Sequence, residues 1–307
     1  MDNPKASILI TGGSGLLALN WAVTMSDRYA VTLGLNDRKI KLSNAEAIPV
    51  DLTSVEDFCV LLEELCPAVV IHTAGLTSVE ACERNPALAK EINVELSVNV
   101  AKATKQLGIK LVHISTDHLF DGTKPNISED EPIMPLNEYG KTKGEAEQEV
   151  LSFNENALIV RTNFYGWGPT YRSSFSDMII NNLRAGKKIT LFDDVYYTSI
   201  LAEKLVRTTH DLIDRNASGI YHVVGDDRMT KYEFGMKIAR EFGLEESLIV
   251  PKSIKSNLNL VKRPLDMSLS NKRVCEYLGR QMGSTDEDVR MLKMQETNSK
   301  IQKIREL

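Results

Sequence analysis

Ala6-Ser-Ile-Leu-Ile10, followed at once by Thr11-Gly-Gly-Ser-Gly-Leu-Leu-Ala18, decides the fold of this chain. The first five residues are a short apolar run, as expected of a buried parallel strand. A glycine turn follows, and the apolar stretch Leu19 to Met25 continues as a helix. Strand, glycine turn and helix in that order raise a glycine pattern above chance. Gly12 and Gly13 allow a tight turn with the backbone close to a pyrophosphate. Gly15 lets the helix N-terminus approach, with Ser14 and Leu16 beside it, where free N–H groups and the helix dipole favour an anion. Ala18 stands where a third glycine is usual, and one methyl group is tolerable there. The bland alternative is an ordinary tight turn.

Working outward, strand and helix patterns alternate through the first 160 residues or so. Strands are expected at 6–10, 30–35, 46–50, 67–73, 109–115 and 157–162. Helices are expected at 16–26, 54–65, 86–107 and 138–152. Asn85-Pro86 is a helix start with proline at the first helical position. Thr53 and Glu56 form a capping box before the 54–65 helix. Strands separated by helices mean βαβ units with right-handed crossovers, hence an α/β, Rossmann-type, doubly wound parallel sheet.

Composition shifts after Arg161. Phe164-Tyr-Gly-Trp-Gly-Pro169 reads as a loop. Helices are then expected at 174–185, 199–213, 230–242 and 270–278, and strands at 188–192, 219–224 and 247–251. The reading is a dinucleotide-binding domain over 1–163, with later returns of the chain to it. A smaller substrate-binding lobe spans mainly 164–280. Residues 281–307 are polar with no clear apolar stripe, so a surface helix or frayed tail is expected.

The 307 residues are 42% hydrophobic and 26% charged, values of a globular protein with a sizeable core. A net charge of -5 offers no electrostatic footprint for nucleic acid or an anionic membrane. No apolar run reaches the roughly 18 residues of a membrane span. The opening Met1-Asp-Asn-Pro-Lys5 enters a strand without a signal-peptide pattern, so a cytoplasmic protein is expected. Cys59, Cys66, Cys82 and Cys275 form no Cys-x-x-Cys pair. Cys59 and Cys66 read as small core residues of one helix. The five histidines show no metal-ligand spacing, and no metal is expected. His72, His113 and His222 read as core or strand-end residues.

Three further stretches carry chemistry. Tyr139-Gly-Lys-Thr-Lys143 puts a phenol and an ammonium on one helix face. A nearby ammonium lowers a phenol's pKa, and such a tyrosine serves as a general acid. Lys110-Leu-Val-His-Ile-Ser-Thr-Asp117 ends an apolar strand in hydroxyls, where open α/β sheets bind ligands. In Val50-Asp51-Leu52-Thr53, Asp51 could bond an adenine amino group, start the next helix, or both. An acid after the second strand suits NAD, and a basic residue suits NADP. Here Asn36-Asp37-Arg38-Lys39 stands there, so Arg38 favours NADP(H) over NAD(H); the alternative is a solvated turn.

Together these motifs resemble the extended short-chain dehydrogenase/reductase superfamily over roughly residues 6–270. Within it they are most similar to the dTDP-4-dehydrorhamnose reductase group. Ser115-Thr-Asp-His-Leu-Phe-Asp-Gly122, Pro135-Leu-Asn-Glu-Tyr-Gly-Lys-Thr-Lys143 and Arg263-Pro-Leu-Asp-Met-Ser-Leu269 carry that likeness. The resemblance implies reduction of a nucleotide-activated 4-keto-6-deoxysugar by NAD(P)H, and a homodimer. It implies Thr116, Tyr139 and Lys143 as the catalytic set. It implies cofactor contacts at Gly12, Ser14, Gly15, Leu16, Asp51, Leu52, Ser115 and the Thr73-Ala74-Gly75 strand end. It implies a substrate pocket at Thr77, Val79, Asp117, His118, Phe164 and Arg263. The group often has tyrosine at 118 and tryptophan at 164, a difference that bears on the sugar more than on the reaction. Two other readings stay open. One is a nucleotide-sugar epimerase or dehydratase, although dehydratases usually carry an acid where His118 stands. The other is a non-catalytic subunit, since the chain also distantly resembles the regulatory subunit of methionine adenosyltransferase.

Overall fold

A computed structural model describes residues 5–256 and 260–307. Residues 1–4 of the opening segment lie outside the described residues. The first strands are β1 (Ser7–Thr11), β2 (Ala30–Leu35), β3 (Glu46–Pro49), β4 (Val69–His72), β5 (Lys110–Ile114) and β6 (Leu158–Arg161). Between them run α1 (Leu16–Met25), α2 (Val55–Leu65), α3 (Val79–Arg84), α4 (Pro86–Lys90), α5 (Leu96–Gln106) and α6 (Glu138–Phe153). The second half adds β7 (Phe164–Tyr165), α7 (Phe175–Arg184), β8 (Ile189–Phe192), β9 (Tyr196–Thr198), β10 (Ile200–Leu201) and α8 (Ala202–Asp214). Next come β11 (Gly219–His222), β12 (Arg228–Thr230), α9 (Lys231–Phe242), β13 (Ile249–Lys252) and β14 (Asp266–Met267). Three helices close the chain: α10 (Lys272–Leu278), α11 (Thr285–Gln295) and α12 (Ser299–Arg305).

The main sheet has the order β11-β6-β5-β4-β1-β2-β3, and every pairing is parallel. Its strands are apolar on both faces because both faces are covered. In β1, Ile8 and Ile10 join the core beneath α1, α8 and α12. Leu9 points the other way, into the core shared with Phe58, Leu62, Val100 and Val150 of α2, α5 and α6. The chain order reverses between β1 and β4, which opens a crevice at the carboxyl ends of these strands. β11 returns from the second half to the edge of the sheet beside β6.

The second half also builds small sheets of its own. β9 lies between antiparallel β12 and parallel β14, β8 pairs with β13, and β7 pairs with β10. The short strands β7, β9, β10, β12 and β14 have too few residues to show a period, so the sequence reads them as loop or helix. Among the described residues, no helix is long and apolar enough to cross a membrane.

Several local expectations change. The 86–107 helix is broken by a π-helical turn at Glu91–Glu95. Ser54, not Thr53, caps α2, accepting from the Asp57 amide; Thr53 is drawn instead to Asp51. Cys66 is exposed, in a left-handed conformation at the end of α2, whereas Cys59 is buried. Residues 281–307 are not a frayed tail. Val289, Leu292, Ile301 and Ile304 are buried, Asp288 pairs with Lys204, and Trp167 donates its indole N–H to the Leu292 carbonyl at 2.9 Å. Two short helices with two buried apolar residues each leave too narrow a stripe to read.

Candidate active site

The glycine turn forms one wall of the crevice. Gly12 has φ +67°, and a Cβ there would lie 2.8 Å from the Ala74 backbone, so only glycine lets β1 and β4 end this close. The Gly15 amide donates to the Gly12 carbonyl at 2.8 Å. Gly15 caps α1 without a side-chain hydrogen bond, which leaves first-turn N–H groups available to an anion. Leu16 is buried behind them. The Thr73 hydroxyl donates to the Thr11 carbonyl at 2.7 Å and joins the two strand ends. This tight, donor-rich turn fits a dinucleotide pyrophosphate. Further along, Asp51 accepts from the Thr53 amide and hydroxyl at 2.8 and 2.7 Å, which holds its carboxyl below the usual range. The Leu52 carbonyl accepts from Asn99 at 2.9 Å. Arg38 lies over the ring of Tyr171, its guanidinium carbon 4.0 Å from the centroid.

The opposite wall is α6. Asn137 caps it, accepting from the Gly140 amide at 2.9 Å. A Cβ at Gly140 would stand 2.3 Å from the His118 carbonyl oxygen. Glycine therefore allows α6 to press against the end of β5 and brings Tyr139 beside Thr116 and His118. The His118 ring meets Tyr139 edge-on, 5.5 Å between centroids. Burial pushes the Tyr139 phenol up to about 12, while the Thr116 hydroxyl pulls the other way. The expected acidification by Lys143 is not seen in this structure, because that ammonium points elsewhere. Lys143 Nζ donates to the Ile114 carbonyl at 2.8 Å and to His113 Nε2 at 3.2 Å. Burial draws Lys143 down to about 8, opposed by Glu147 one turn on. His113 is held well below its ordinary value, and burial pushes its neighbour His72 down to about 3, so both are neutral and His113 Nε2 accepts from Lys143. The Ser115 hydroxyl is buried at the same strand end with no hydrogen-bond partner among the described residues.

The outer part of the cleft gathers residues from both halves. Asn163 donates to Asp117 at 2.6 Å. Burial keeps His118 below its ordinary pKa, with Asp117 opposing. Arg263 pairs with Glu80 of α3 and so ties the second half to the first. Thr77 accepts from Arg172 at 2.6 Å, Val79 is buried, and Phe164 is half-buried on β7. Two residues had no signal in the sequence. Lys231, at the start of α9, places its ammonium 4.6 Å from the Tyr197 centroid and 4.8 Å from that of Phe175. Burial lowers its pKa, and Asp117 opposes the shift. Asn93, turned inward by the π-helical turn, accepts from the Leu76 amide at 2.8 Å and donates to Thr142 at 3.0 Å. It thereby sets the loop after Gly75 against α6. A π turn inside a helix often marks such a place. Among the described residues, no group of three or more His, Cys, Asp or Glu could hold a metal.

A parallel sheet with a glycine turn at its switch point, and a Tyr-x-x-x-Lys helix facing a Ser-Thr strand end, defines an extended short-chain dehydrogenase/reductase. The chain belongs to the family described as RmlD substrate binding domain, whose model matches residues 6–296. It is 31% identical over 293 residues to the probable low-salt glycan biosynthesis reductase Agl14 of Haloferax volcanii, covering 92% of this chain and 96% of the relative. It is also 31% identical over 255 residues to methionine adenosyltransferase 2 subunit beta of Xenopus tropicalis, covering 81% and 75%. The crystal structure of dTDP-4-dehydrorhamnose reductase from Bacillus anthracis str. Ames in complex with NADP superposes with a TM-score of 0.84. That match has 26% identity and covers 95% of this chain and 99% of the other.

Proposed function

We propose that this protein is an NADPH-dependent reductase of the 4-keto group of a nucleotide-activated 4-keto-6-deoxysugar. The observation that carries the reading is that α6 brings Tyr139 beside Thr116 and sets Lys143 on the Ile114 carbonyl at the end of β5. The likeness to a glycan biosynthesis reductase and to a dTDP-4-dehydrorhamnose reductase in complex with NADP supports it. Gly12, Ser14, Gly15 and Leu16 would hold the pyrophosphate, with Thr73, Ala74, Gly75 and Ser115 towards the nicotinamide. Asp51 and Leu52 would flank the adenine, and Arg38 would meet the 2′-phosphate.

When bound, the cofactor supplies the hydride. Tyr139 gives its phenolic proton to the carbonyl oxygen, and Thr116 hydrogen-bonds that same oxygen. Lys143, now on the Ile114 carbonyl, would hold the cofactor's ribose when it is bound and would steady the phenolate left behind. Asp117, His118, Thr77, Val79, Phe164 and Arg263 line the sugar side, joined by Lys231. The test is loss of NADPH absorbance with dTDP-4-keto-6-deoxyglucose and its GDP- and UDP-linked counterparts. Oxidation with any one of them supports the reductase. No oxidation with all three, in protein that still binds NADPH, sinks it. That result favours the second reading, a non-catalytic subunit, which the likeness to methionine adenosyltransferase 2 subunit beta supports.

A pH dependence follows from Lys143. Its ammonium is present below about 8 and lost above it. Glu147 is the facing carboxylate, and His113 and His72 are neutral. NADPH affinity is therefore expected to weaken as pH rises through about 8. Fluorescence titrations from about pH 7 to about 9.5 check this, and a flat profile removes Lys143 from the ribose.

A further inference from the structure

The loop between β7 and α7 lies across the crevice. One carboxylate pins both of its ends, since Asp177 accepts from the Gly168 amide at 2.8 Å and the Ser174 amide at 2.9 Å. Between them the chain turns, with the Arg172 amide donating to the Pro169 carbonyl at 3.0 Å. A Cβ at Gly168 would stand 2.9 Å from the Leu16 side chain, so the base of the loop sits on the start of α1. The tip makes three contacts. The Tyr171 hydroxyl donates to the Ser14 carbonyl at 2.9 Å, inside the glycine turn. The Tyr171 ring stacks under the Arg38 guanidinium at 4.0 Å, beyond the end of β2. Arg172 donates to Thr77 at 2.6 Å, beyond the end of β4.

β4, β1 and β2 are neighbours in the sheet, so these contacts reach from one side of the crevice to the other. A dinucleotide bound there runs along the same strand ends. The contacts are polar and partly exposed, the kind that opens locally at small cost. The ends held by Asp177 are buried and remain as hinges.

We propose that residues 168–174 form a strap that closes over the dinucleotide, with Tyr171 as its latch. Tyr171 ties the strap to the glycine turn and holds Arg38 in place for a 2′-phosphate. Tyr171 is thus a positioning residue, acting through Ser14 and Arg38. The second half of this inference rests on the NADPH reading; the strap itself does not.

Tyr171→Ala and Tyr171→Phe separate the parts. NADPH and NADH binding and release are measured by fluorescence on the full chain. For Tyr171→Ala, NADPH is expected to bind about tenfold more weakly through faster release, the scale of one hydrogen bond and one cation–π contact. The preference for NADPH over NADH narrows with it. Tyr171→Phe keeps the stack and loses the bond to Ser14, so both cofactors leave faster while the preference stays. Wild-type release rates for both cofactors from Tyr171→Ala overturn the strap. A wild-type protein that prefers NADH overturns the role of Arg38 together with the NADPH reading, and faster NADH release from Tyr171→Ala still supports the strap. Tyr171 is half-buried on a loop, so a melting curve matching wild type is expected for both variants.

Discussion

Tyr139→Phe is expected to slow reduction by about 10²–10⁴-fold, the usual contribution of a positioned general acid. Phenylalanine fills the same space beside Val79, Cys82 and Ala89, so the core around the ring is kept. Only the hydroxyl facing Thr116 is lost. NADPH affinity should stay within a few-fold of wild type, because the glycine turn and Lys143 are untouched. The phenol is pushed up to about 12, so it carries its proton throughout the neutral range. The substitution therefore removes a proton donor and no charge. Steady-state turnover, with cofactor titration alongside, checks this. Retention of more than about a tenth of the activity would take the acid role away from Tyr139.

The behaviour of Tyr139 shows where the sequence can be read and where it cannot. The glycine turn and its strand and helix are contiguous, so their order alone announces the crevice. Tyr139 and Lys143 share a helix face because a helix repeats every 3.6 residues. Their protonation depends on what surrounds that face. The sequence suggests an ammonium beside a phenol, hence a more acidic Tyr139. In the fold Lys143 reaches the Ile114 carbonyl and His113 on β5, and burial dominates both groups. Asn93 and Lys231 were illegible for a related reason. One is aimed by a π turn that no periodicity reports, and the other enters the cleft from a helix in the second half. Tyr171 sits two residues beyond the aromatic, glycine-rich stretch Phe164–Pro169 that reads as loop. Its contact with Ser14 joins residues far apart in the chain, which no local pattern can encode. Gly140 lay in plain view within the Tyr-Gly-Lys motif. Its reason, the nearby His118 carbonyl, becomes visible only once β5 and α6 are packed.

Glu147→Leu is expected to have the largest effect on stability, about 3–5 kcal/mol, because it strands a buried guanidinium. Glu147 lies one turn beyond Lys143 on α6, and Arg161 ends β6. Their side chains are 3% and 4% exposed, and the pair is bidentate, with bonds of 2.8, 3.0 and 3.1 Å. Glu129 also lies within electrostatic reach of Arg161, but it already accepts from the His222 amide at 2.9 Å, and burial raises its pKa. His222 Nε2 is 3.3 Å from Arg161, but burial and Arg161 itself push that histidine down to about 3, so it offers only a neutral acceptor. The ring of Phe120 lies 5.5 Å from the guanidinium carbon and adds little. Urea denaturation measures the loss. The double variant Glu147→Leu/Arg161→Met should recover much of it, since a buried ion pair replaced by apolar groups of similar size is often near neutral. Recovery separates a stranded charge from simple misfit at position 147; without recovery, packing rather than charge holds α6 to β6. The pair also reaches the chemistry. Glu147 is the group that opposes the burial shift of Lys143, so the double variant should lose its NADPH affinity at a lower pH than wild type. An unshifted profile would mean that Glu147 steadies the helix without supporting the Lys143 ammonium.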